Sequence, residues 1–342
     1  MRPDIPGVSL TALHQWMDEN GLGSGPITAS SLITGGTQNI LLRFRRSGRE
    51  YVLRRPPVHK RDNSDETLRR EAQVLSELAT TDVPHPRLIA ACGDSDPLGA
   101  AFYLMEPVDG VSPTVSWDQT FRTDPEAQRH LGFAMVTALA ALGRVDVSRP
   151  GLSGLGRPAA GWLERQTPRW RRQLESYQRL ENYPGHGLPG VGVVASWLDE
   201  NRPPQWSPGL IHGDYHFSNV MVDPASGDVT AIVDWELATV GDPLLDLGHL
   251  LATWPSHYPI GGGIEASHLP DTGSLIEWYD ELSGRDVGYV RWYQALACFR
   301  LGIILEGSHA RAHAGLAPEE TGRRLHHNVV VLFEQALRLI EG

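Results

Sequence analysis

The spacing of apolar residues changes character between residues 106 and 125. Before residue 106, apolar runs of strand length are separated by Gly, Pro and polar turn residues. These runs cover residues 27–34, 40–46, 51–55, 87–91 and 101–105. After residue 125, apolar residues recur every three or four positions, which is the helical period. The pattern predicts a small β-rich lobe followed by a larger, mainly helical lobe.

Two helices are predicted within the first lobe. The first covers residues 9–20 with Ser9 as N-cap, and the second begins after Asn63. Glu66 follows Asn63 by three positions, which has the form of a capping box. The apolar line of this second helix is Leu68, Ala72, Leu75 and Ala79. Later helices are predicted over residues 126–142, 160–180, 193–200, 273–283, 286–307 and 320–340, with one more starting near Pro243.

A connector containing proline separates the two predicted lobes. The strand over residues 101–105 leads directly into Glu106-Pro107-Val108-Asp109-Gly110. We therefore predict a nucleotide-binding lobe over residues 1–106 and a helical lobe with the acceptor site over residues 107–342. Such a connector can offer the Glu106 carbonyl and the Val108 N–H to an adenine edge. An ordinary interdomain turn would have the same sequence features.

Composition and net charge exclude several classes of protein. The 342 residues carry a formal net charge of −11, which argues against nucleic acid or an anionic membrane as partner. No apolar stretch approaches the ~18 residues needed to span a bilayer, and the N-terminus lacks a signal-peptide layout. Two cysteines make no disulfide framework. These features predict a cytoplasmic protein, and no pattern indicates its oligomeric state.

The stretch over residues 210–235 carries the strongest chemical signal. Two apolar, strand-like runs, at Leu210 and at residues 230–233, flank a polar loop. Asp214 and Asn219 lie in that loop, and Asp234 follows the second run. Two strands joined by the loop would bring the three side chains together. Carboxylate and amide oxygens form the hard site that Mg²⁺ prefers when it also holds substrate phosphates.

Two features of the first lobe supply what a phosphate site needs. The loop Gly35-Gly36-Thr37-Gln38-Asn39 joins two predicted strands, and its backbone N–H groups can approach phosphates. Taken alone, a glycine pair between strands is more often a simple hairpin turn. Arg54 ends the third strand, and Glu71 lies beside the apolar line of the following helix. A strand cation facing a helix glutamate positions ATP phosphates in kinases, although a surface carboxylate and an edge cation are the simpler interpretation.

Several motifs together resemble the aminoglycoside phosphotransferase/choline kinase family, a branch of the protein-kinase-like fold. The matching segments include YVLRRPP at 51–57, REAQVLSEL at 70–78, HGDYHFSNVMVD at 212–223 and VDWELATVGDPLLDLGHLL at 233–251. The chain is most similar to the subgroup related to the phosphotransferase domain associated with acyl-CoA dehydrogenases. The resemblance covers nearly the whole chain. It implies an α+β, bilobal protein-kinase-like fold with a small antiparallel-sheet lobe and a larger helical lobe.

The resemblance also implies roles for individual residues. Asp214 corresponds to the catalytic base, and Asn219 and Asp234 correspond to the Mg²⁺ ligands. Glu71 corresponds to the helix partner of the strand-three cation, and Arg54 stands where many relatives carry lysine. The remaining roles are an adenine hinge at Glu106 and Val108, a phosphate-covering loop at 35–39, a bracing aspartate at Asp246, and a structural histidine at His212.

The predicted function is ATP- or GTP-dependent phosphoryl transfer, with Mg²⁺, to a hydroxyl of a small molecule. The subgroup resemblance favours a hydroxylated metabolite, such as a hydroxyacyl thioester. Two alternatives remain open at this point, an aminoglycoside- or macrolide-type antibiotic phosphotransferase and a catalytically silent nucleotide-binding scaffold. An acidic acceptor pocket would favour the antibiotic class, and only Glu265, Asp271 and Glu277 stand in the region expected to hold the acceptor.

Overall fold

A computed structural model gives the architecture of the protein. The structure describes residue 5 and residues 7–33, 39–115, 124–156, 161–256 and 267–342. Within these ranges the two predicted parts are present, an antiparallel sheet followed by a mainly helical part. No helix in these ranges is both long and apolar enough to cross a membrane.

The first part is built on a five-stranded antiparallel sheet. Its strands are β1 (Thr28–Leu32), β2 (Ile40–Arg46), β3 (Arg49–Arg55), β4 (Leu88–Cys92) and β5 (Phe102–Met105). Their order across the sheet is β1-β2-β3-β5-β4. Each strand agrees with a predicted apolar run to within a few residues at either end. The last strand ends one residue before the predicted division at residue 106, which itself stays a prediction.

Helices cover the sheet on its two faces. α1 (Leu10–Glu19) begins at the predicted N-cap, where the Ser9 hydroxyl accepts a hydrogen bond from Ala12 N–H at 3.3 Å. Its buried residues Leu13 and Met17 belong to the same apolar cluster as Leu42 and Phe44 of β2. Burial of this apolar face holds α1 on the sheet.

The second helix, α2 (Ser64–Leu78), differs from the prediction at both ends. The Asn63 side chain makes no capping hydrogen bond, so the predicted capping box is wrong. Instead, the Thr67 hydroxyl donates to the Asn63 carbonyl at 3.1 Å. At the other end Leu78 is buried and Ala79 is exposed. The prediction for Glu71 is confirmed in one respect, because its side chain is buried against the sheet.

The second part is a helical assembly. Its helices are α3 (Pro125–Gly143), α4 (Pro150–Ser153), α5 (Gln166–Ser176), α6 (Val191–Glu200), α7 (Leu244–Ala252), α8 (Thr272–Ser283), α9 (Val290–His313) and α10 (Glu319–Glu341). The helix predicted over 160–180 is shorter than expected, because a 3₁₀ turn over Tyr177–Arg179 follows α5. α9 extends six residues beyond the predicted end at 307.

Close backbone contact places α7 against α9. A Cβ built on Gly248 of α7 would lie 2.6 Å from the Tyr293 carbonyl carbon and oxygen of α9. Only glycine therefore allows this approach. All nine residues of α7 are buried. The contact fixes the helix that carries Asp246 and His249 beneath residues 210–235, which we call the catalytic stretch after its predicted role.

Four short strands frame the catalytic stretch, where the sequence had predicted two. They are β6 (Gly209–Ile211), β7 (Val220–Val222), β8 (Val229–Ile232) and β9 (Thr239–Gly241). The run at Leu210 and the run at residues 230–233 pair with other strands instead of with each other. β6 pairs with β9, and β7 pairs with β8. A three-residue strand carries too short a pattern to be recognised in sequence, and its partner is chosen by tertiary contacts.

Candidate active site

Three of the predicted site residues converge at the ends of these short strands. Asp214 follows β6, Asn219 immediately precedes β7, and Asp234 follows β8. The Asn219 amide donates to the Asp214 carbonyl at 2.8 Å and to Asp214 Oδ2 at 3.1 Å. Val233 N–H donates to the Asn219 carbonyl at 2.9 Å, which brings the end of β8 to the same place. These bonds engage the amide nitrogen of Asn219, so its amide oxygen is the side-chain atom that could bind a cation.

Asp234 holds a strained backbone conformation. Its φ is 67° and its ψ is 61°, the left-handed region that non-glycine residues seldom adopt. Buried neighbours hold the turn, since Trp235 Nε1 donates to the Ile232 carbonyl at 2.9 Å and His212 Nε2 bonds the Val233 carbonyl at 2.9 Å. The turn leaves the Asp234 side chain 42% exposed at the mouth of the site. A strained backbone conformation of this kind is kept because the surrounding contacts allow no other conformation.

Arg54 connects the sheet to Asp234. Its Nε lies 2.8 Å from Glu71 Oε2, and its Nη2 lies 2.6 Å from Asp234 Oδ1. The Tyr103 hydroxyl, which the sequence analysis did not identify, donates to Glu71 Oε2 at 2.9 Å. Burial tends to lower the pKa of Arg54, but the charges of Glu71 and Asp234 outweigh it and raise that pKa above its ordinary value. The guanidinium is therefore permanently charged and held in one orientation.

The loop that carries Asp214 is braced from below. Asp246 Oδ2 accepts from His212 N–H at 2.6 Å, and Asp246 Oδ1 accepts from Gly213 N–H at 2.8 Å. Arg300 donates to the Gly213 carbonyl. Gly213 has a φ of 84°, and a Cβ there would lie 2.7 Å from the Leu237 carbonyl oxygen. The geometry fits the bracing role expected for Asp246 and the structural role expected for His212.

Two histidines surround the Asp214 carboxylate, and the sequence analysis attached no role to either. His249 Nε2 lies 3.3 Å from Asp214 Oδ1, and His216 Nε2 lies 3.5 Å from Asp214 Oδ2. Burial would raise the pKa of Asp214, but its contacts with His216 and His249 hold that pKa well below the ordinary value. Asp214 is therefore ionised at neutral pH. His249 stands three positions after Asp246, and that helical spacing is the sequence signal that could have found it.

The sequence analysis did not identify Glu236 either. Its carboxylate lies with those of Asp234 and Glu71 in a group whose nearest oxygen atoms are within 4.8 Å of one another. Burial is the main cause, with the charges of Asp234 and Glu71, of a rise in the pKa of Glu236 to about 7. Its position two residues after Asp234 was the available signal. A carboxylate so placed is a third candidate oxygen ligand for a cation.

The remaining predicted residues are less fully described. Gly35, Gly36, Thr37 and Gln38 lie outside the described residues, and Asn39 immediately precedes β2. At the predicted hinge, Glu106 N–H donates to the Arg87 carbonyl at 2.9 Å. Within the described part of the chain, neither the Glu106 carbonyl nor the Val108 N–H has a hydrogen-bond partner. The phosphate-covering and adenine-binding roles stay predictions.

Comparisons with known proteins identify the family of the chain. The model of the phosphotransferase enzyme family matches residues 31–278. Acyl-CoA dehydrogenase family member 11 of Gallus gallus is 28% identical over 317 residues, which cover 90% of this chain and 40% of that protein. The chain thus spans about two fifths of the length of this curated relative.

Solved structures show the same fold. A putative aminoglycoside phosphotransferase from Ralstonia eutropha has a TM-score of 0.79 and 28% identity, covering 96% of this chain and 98% of that one. Aminoglycoside phosphotransferase APH(4)-Ia, in a ternary complex with AMP-PNP and hygromycin B, has a TM-score of 0.62 and 15% identity, covering 95% and 98%. The second likeness concerns the fold alone. The prediction of an α+β, bilobal protein-kinase-like fold is confirmed.

Proposed function

Because the chain belongs to the phosphotransferase enzyme family, we propose that it transfers the γ-phosphoryl group of ATP, or of GTP, to a hydroxyl of a small molecule. The convergence of Asp214, Asn219 and Asp234 opposite the Arg54–Glu71 pair carries this proposal. Phosphoryl transfer depends mainly on positioning and charge neutralisation, and these residues supply both.

The donor atoms fit Mg²⁺. Asn219 offers an amide oxygen, and Asp234 and Glu236 offer carboxylates close together on the second lobe. A site of oxygen ligands with few protein carboxylates is what Mg²⁺ uses when it also binds substrate phosphates. When bound, Mg²⁺ neutralises charge on the phosphate oxygens.

The Asp214 carboxylate accepts the proton of the acceptor hydroxyl. Its carboxylate is ionised and 34% exposed, so an acceptor hydroxyl can reach it. In the reaction, an O–P bond forms between the acceptor oxygen and the γ-phosphorus, and the bond from that phosphorus to the β,γ-bridging oxygen breaks. The acceptor proton goes to Asp214, and ADP leaves with the electron pair of the broken bond. The Asp246 carboxylate accepts hydrogen bonds from the His212 and Gly213 N–H groups, and these bonds keep the Asp214 carboxylate in place.

For the acceptor we favour a hydroxylated metabolite, such as a hydroxyacyl thioester. Support comes from the relatives named as acyl-CoA dehydrogenases, in which this region makes up about two fifths of the protein. An antibiotic phosphotransferase is the second candidate, supported by the 28% identity to a putative aminoglycoside phosphotransferase of Ralstonia eutropha. A silent scaffold is disfavoured because the chain retains Asp214, Asn219, Asp234 and Glu71, whereas a silent kinase would more often have lost one of them.

The test is an ADP-release screen with Mg²⁺ and ATP against hydroxylated metabolites, hydroxyacyl thioesters, aminoglycosides and macrolides. The wild type should turn over at least one acceptor, and Asp214→Asn should lose at least about 10²-fold in kcat while still binding AMP-PNP. Turnover that survives Asp214→Asn unchanged would contradict the role of Asp214. Nucleotide binding without turnover of any acceptor would favour the scaffold.

Asp234 is tested separately by calorimetry of AMP-PNP binding. Asp234→Asn keeps a side chain that tolerates the left-handed backbone and removes the charge. We expect about tenfold or greater weakening with Mg²⁺ present and little change without it. Equal loss in both conditions would indicate damage to the fold instead of loss of a metal ligand.

A further inference from the structure

A large cavity lies beside the catalytic loop. Its volume is about 470 Å³, within the range of small-molecule sites. Gly213, the residue before Asp214, forms part of its wall, and so does Glu236. The Glu236 carboxylate belongs to the same close group as that of Asp234. The cavity therefore reaches the place where phosphoryl transfer is proposed to occur.

The wall of this cavity is strongly cationic. The described residues that line it include one carboxylate, Glu236, and the guanidinium groups of Arg70, Arg165, Arg169, Arg172 and Arg300. Arg165 immediately precedes α5, and Arg169 and Arg172 follow at spacings of four and three, so all three project from one helix face. Such an excess of positive charge is unexpected in a chain with a formal net charge of −11. We call this feature the arginine cavity.

Backbone carbonyls position the two innermost arginines. Arg70 Nη2 donates to the Leu155 and Ala238 carbonyls at 3.2 and 3.1 Å, and Arg300 donates to the Gly213 carbonyl. Among the ion pairs of the described residues, none includes either side chain. Arg300 is only 7% exposed. The charges of Asp214 and Asp246 offset part of the cost of burying Arg300, but burial still lowers its pKa, and an anionic ligand would offset the cost further.

The indole N–H of Trp170 independently indicates a ligand in the cavity. It lines the cavity, is 7% exposed, and its buried indole N–H has no hydrogen-bond acceptor within the described part of the chain. The Arg169 and Arg300 guanidinium groups lie 4.8 and 5.5 Å from its ring centroid. An orphaned buried donor next to these cations calls for a ligand rich in acceptor oxygens.

We propose that the arginine cavity binds a phosphate group carried by the hydroxylated acceptor, so that the enzyme selects phosphate-bearing alcohols over cationic ones. Planar guanidinium forks match phosphate oxygens bidentately, and several of them suit a multiply charged group. A polycationic aminoglycoside would be repelled by the same wall. Asp271, one acid that an antibiotic pocket could have used, caps α8 by accepting from Ser274 N–H at 2.9 Å. This inference rests on the proposed function, because it names the acceptor class of that site.

Calorimetry tests the cavity without knowledge of the acceptor. Inorganic phosphate is titrated into the full chain saturated with AMP-PNP and Mg²⁺, so that the nucleotide's own phosphate site is filled. Saturable binding is expected, and the double variant Arg169→Ala/Arg172→Ala should weaken it about tenfold or more. Arg171→Ala is the matched control, because Arg171 lies on the same helix and does not line the cavity. Absence of saturable binding, or an equal loss in Arg171→Ala, overturns the proposal.

An ADP-release assay then separates a phosphate on the acceptor from free phosphate. Alcohols are compared with their own phosphate esters, such as glycerol with glycerol 3-phosphate and ribose with ribose 5-phosphate. Lower KM for the esters, lost in Arg169→Ala/Arg172→Ala and kept in Arg171→Ala, supports the proposal. Preference for uncharged alcohols or aminoglycosides, unaffected by the double variant, overturns it while leaving the proposed function intact. Phosphate binding that depends on the arginines, without turnover of any acceptor, supports the anion site and counts against the proposed function.

Discussion

The Arg54 guanidinium lies 2.6 Å from the Asp234 carboxylate, although the two residues are 180 positions apart in the chain. The same guanidinium contacts Glu71 of α2 at 2.8 Å. One cation thus joins a strand, a helix and the predicted metal ligand of the other lobe. Arginine can do this because its planar fork presents several N–H donors in fixed directions, whereas an ammonium is a single point charge.

Substitution of Arg54 should affect stability and nucleotide binding. Arg54→Ala leaves Glu71 buried without its cation, which we expect to cost about 3–5 kcal/mol of unfolding free energy. Arg54→Lys keeps the charge and should lose less stability, but its affinity for ATP should fall about tenfold because one ammonium cannot serve both carboxylates. Urea unfolding and AMP-PNP calorimetry measure the two effects. Arg43→Ala is the control, since its exposed pair with Glu50 should contribute little to stability. Equal losses in the two alanine variants would refute the bridging role.

His249 should position the catalytic carboxylate. It is 1% exposed, and burial lowers its pKa, so the ring is neutral and packs against Asp214 Oδ1. His249→Ala should lower kcat by about 10- to 100-fold with little change in the KM for ATP, because a shifted carboxylate misaligns the acceptor hydroxyl. His249→Gln should recover part of the loss. The exposed His130→Ala is the control. A rise in the KM for ATP with unchanged kcat would assign His249 to nucleotide binding instead.

His212 should make the fold less stable as pH falls. Burial lowers its pKa from 6.5 to about 4, and the neutral ring bonds the Val233 carbonyl. In the unfolded chain the His212 imidazole is therefore protonated below pH 6.5, whereas in the folded chain it is protonated only near pH 4. Stability from this group is full above pH 6.5 and is lost as pH falls towards 4, by about 3 kcal/mol in total.

The measurement compares urea unfolding of the wild type and His212→Gln at pH 7 and pH 4.5. The variant cannot titrate at this position, so its loss of stability over this interval should be smaller by about 2–3 kcal/mol. Other titrating groups are common to both proteins and cancel in the difference. Parallel pH dependence in the two proteins would show that His212 does not titrate as its burial predicts.

Because α7 and α9 touch at Gly248, alanine substitution should affect stability very differently at Gly248 and at Gly192. Gly248→Ala forces a Cβ to 2.6 Å from the Tyr293 backbone and should destabilise the protein by about 1–3 kcal/mol. Gly192→Ala in α6 meets nothing within 4 Å and should be neutral or gain up to about 1 kcal/mol. Thermal unfolding of both variants measures this. A Gly248→Ala protein as stable as the wild type would mean that the helices can separate locally at no cost.

Local sequence was sufficient for much of the fold. Strand-length runs separated by turn residues predicted the sheet, and the helical period predicted the helices of the second part, because each depends on neighbours within a few positions. Side-chain capping was less predictable. Asn63 and Glu66 have the spacing of a capping box, yet the helix start uses Thr67 and the Asn63 backbone instead.

The spacing of Asp214, Asn219 and Asp234 was enough to place these three residues together, because short strands and their turns leave few ways to connect them. Tertiary structure alone decided what surrounds them. The pairing of β6 with β9, the approach of His249 to Asp214, and the five arginines of the cavity join segments far apart in the chain. Local spacing can place His249 on the same helix face as Asp246, but it does not reveal these contacts, because they arise when packed helices and strands bring distant side chains to one surface. The local pattern therefore determined the candidate site, and the packing around it determined which side chains surround that site.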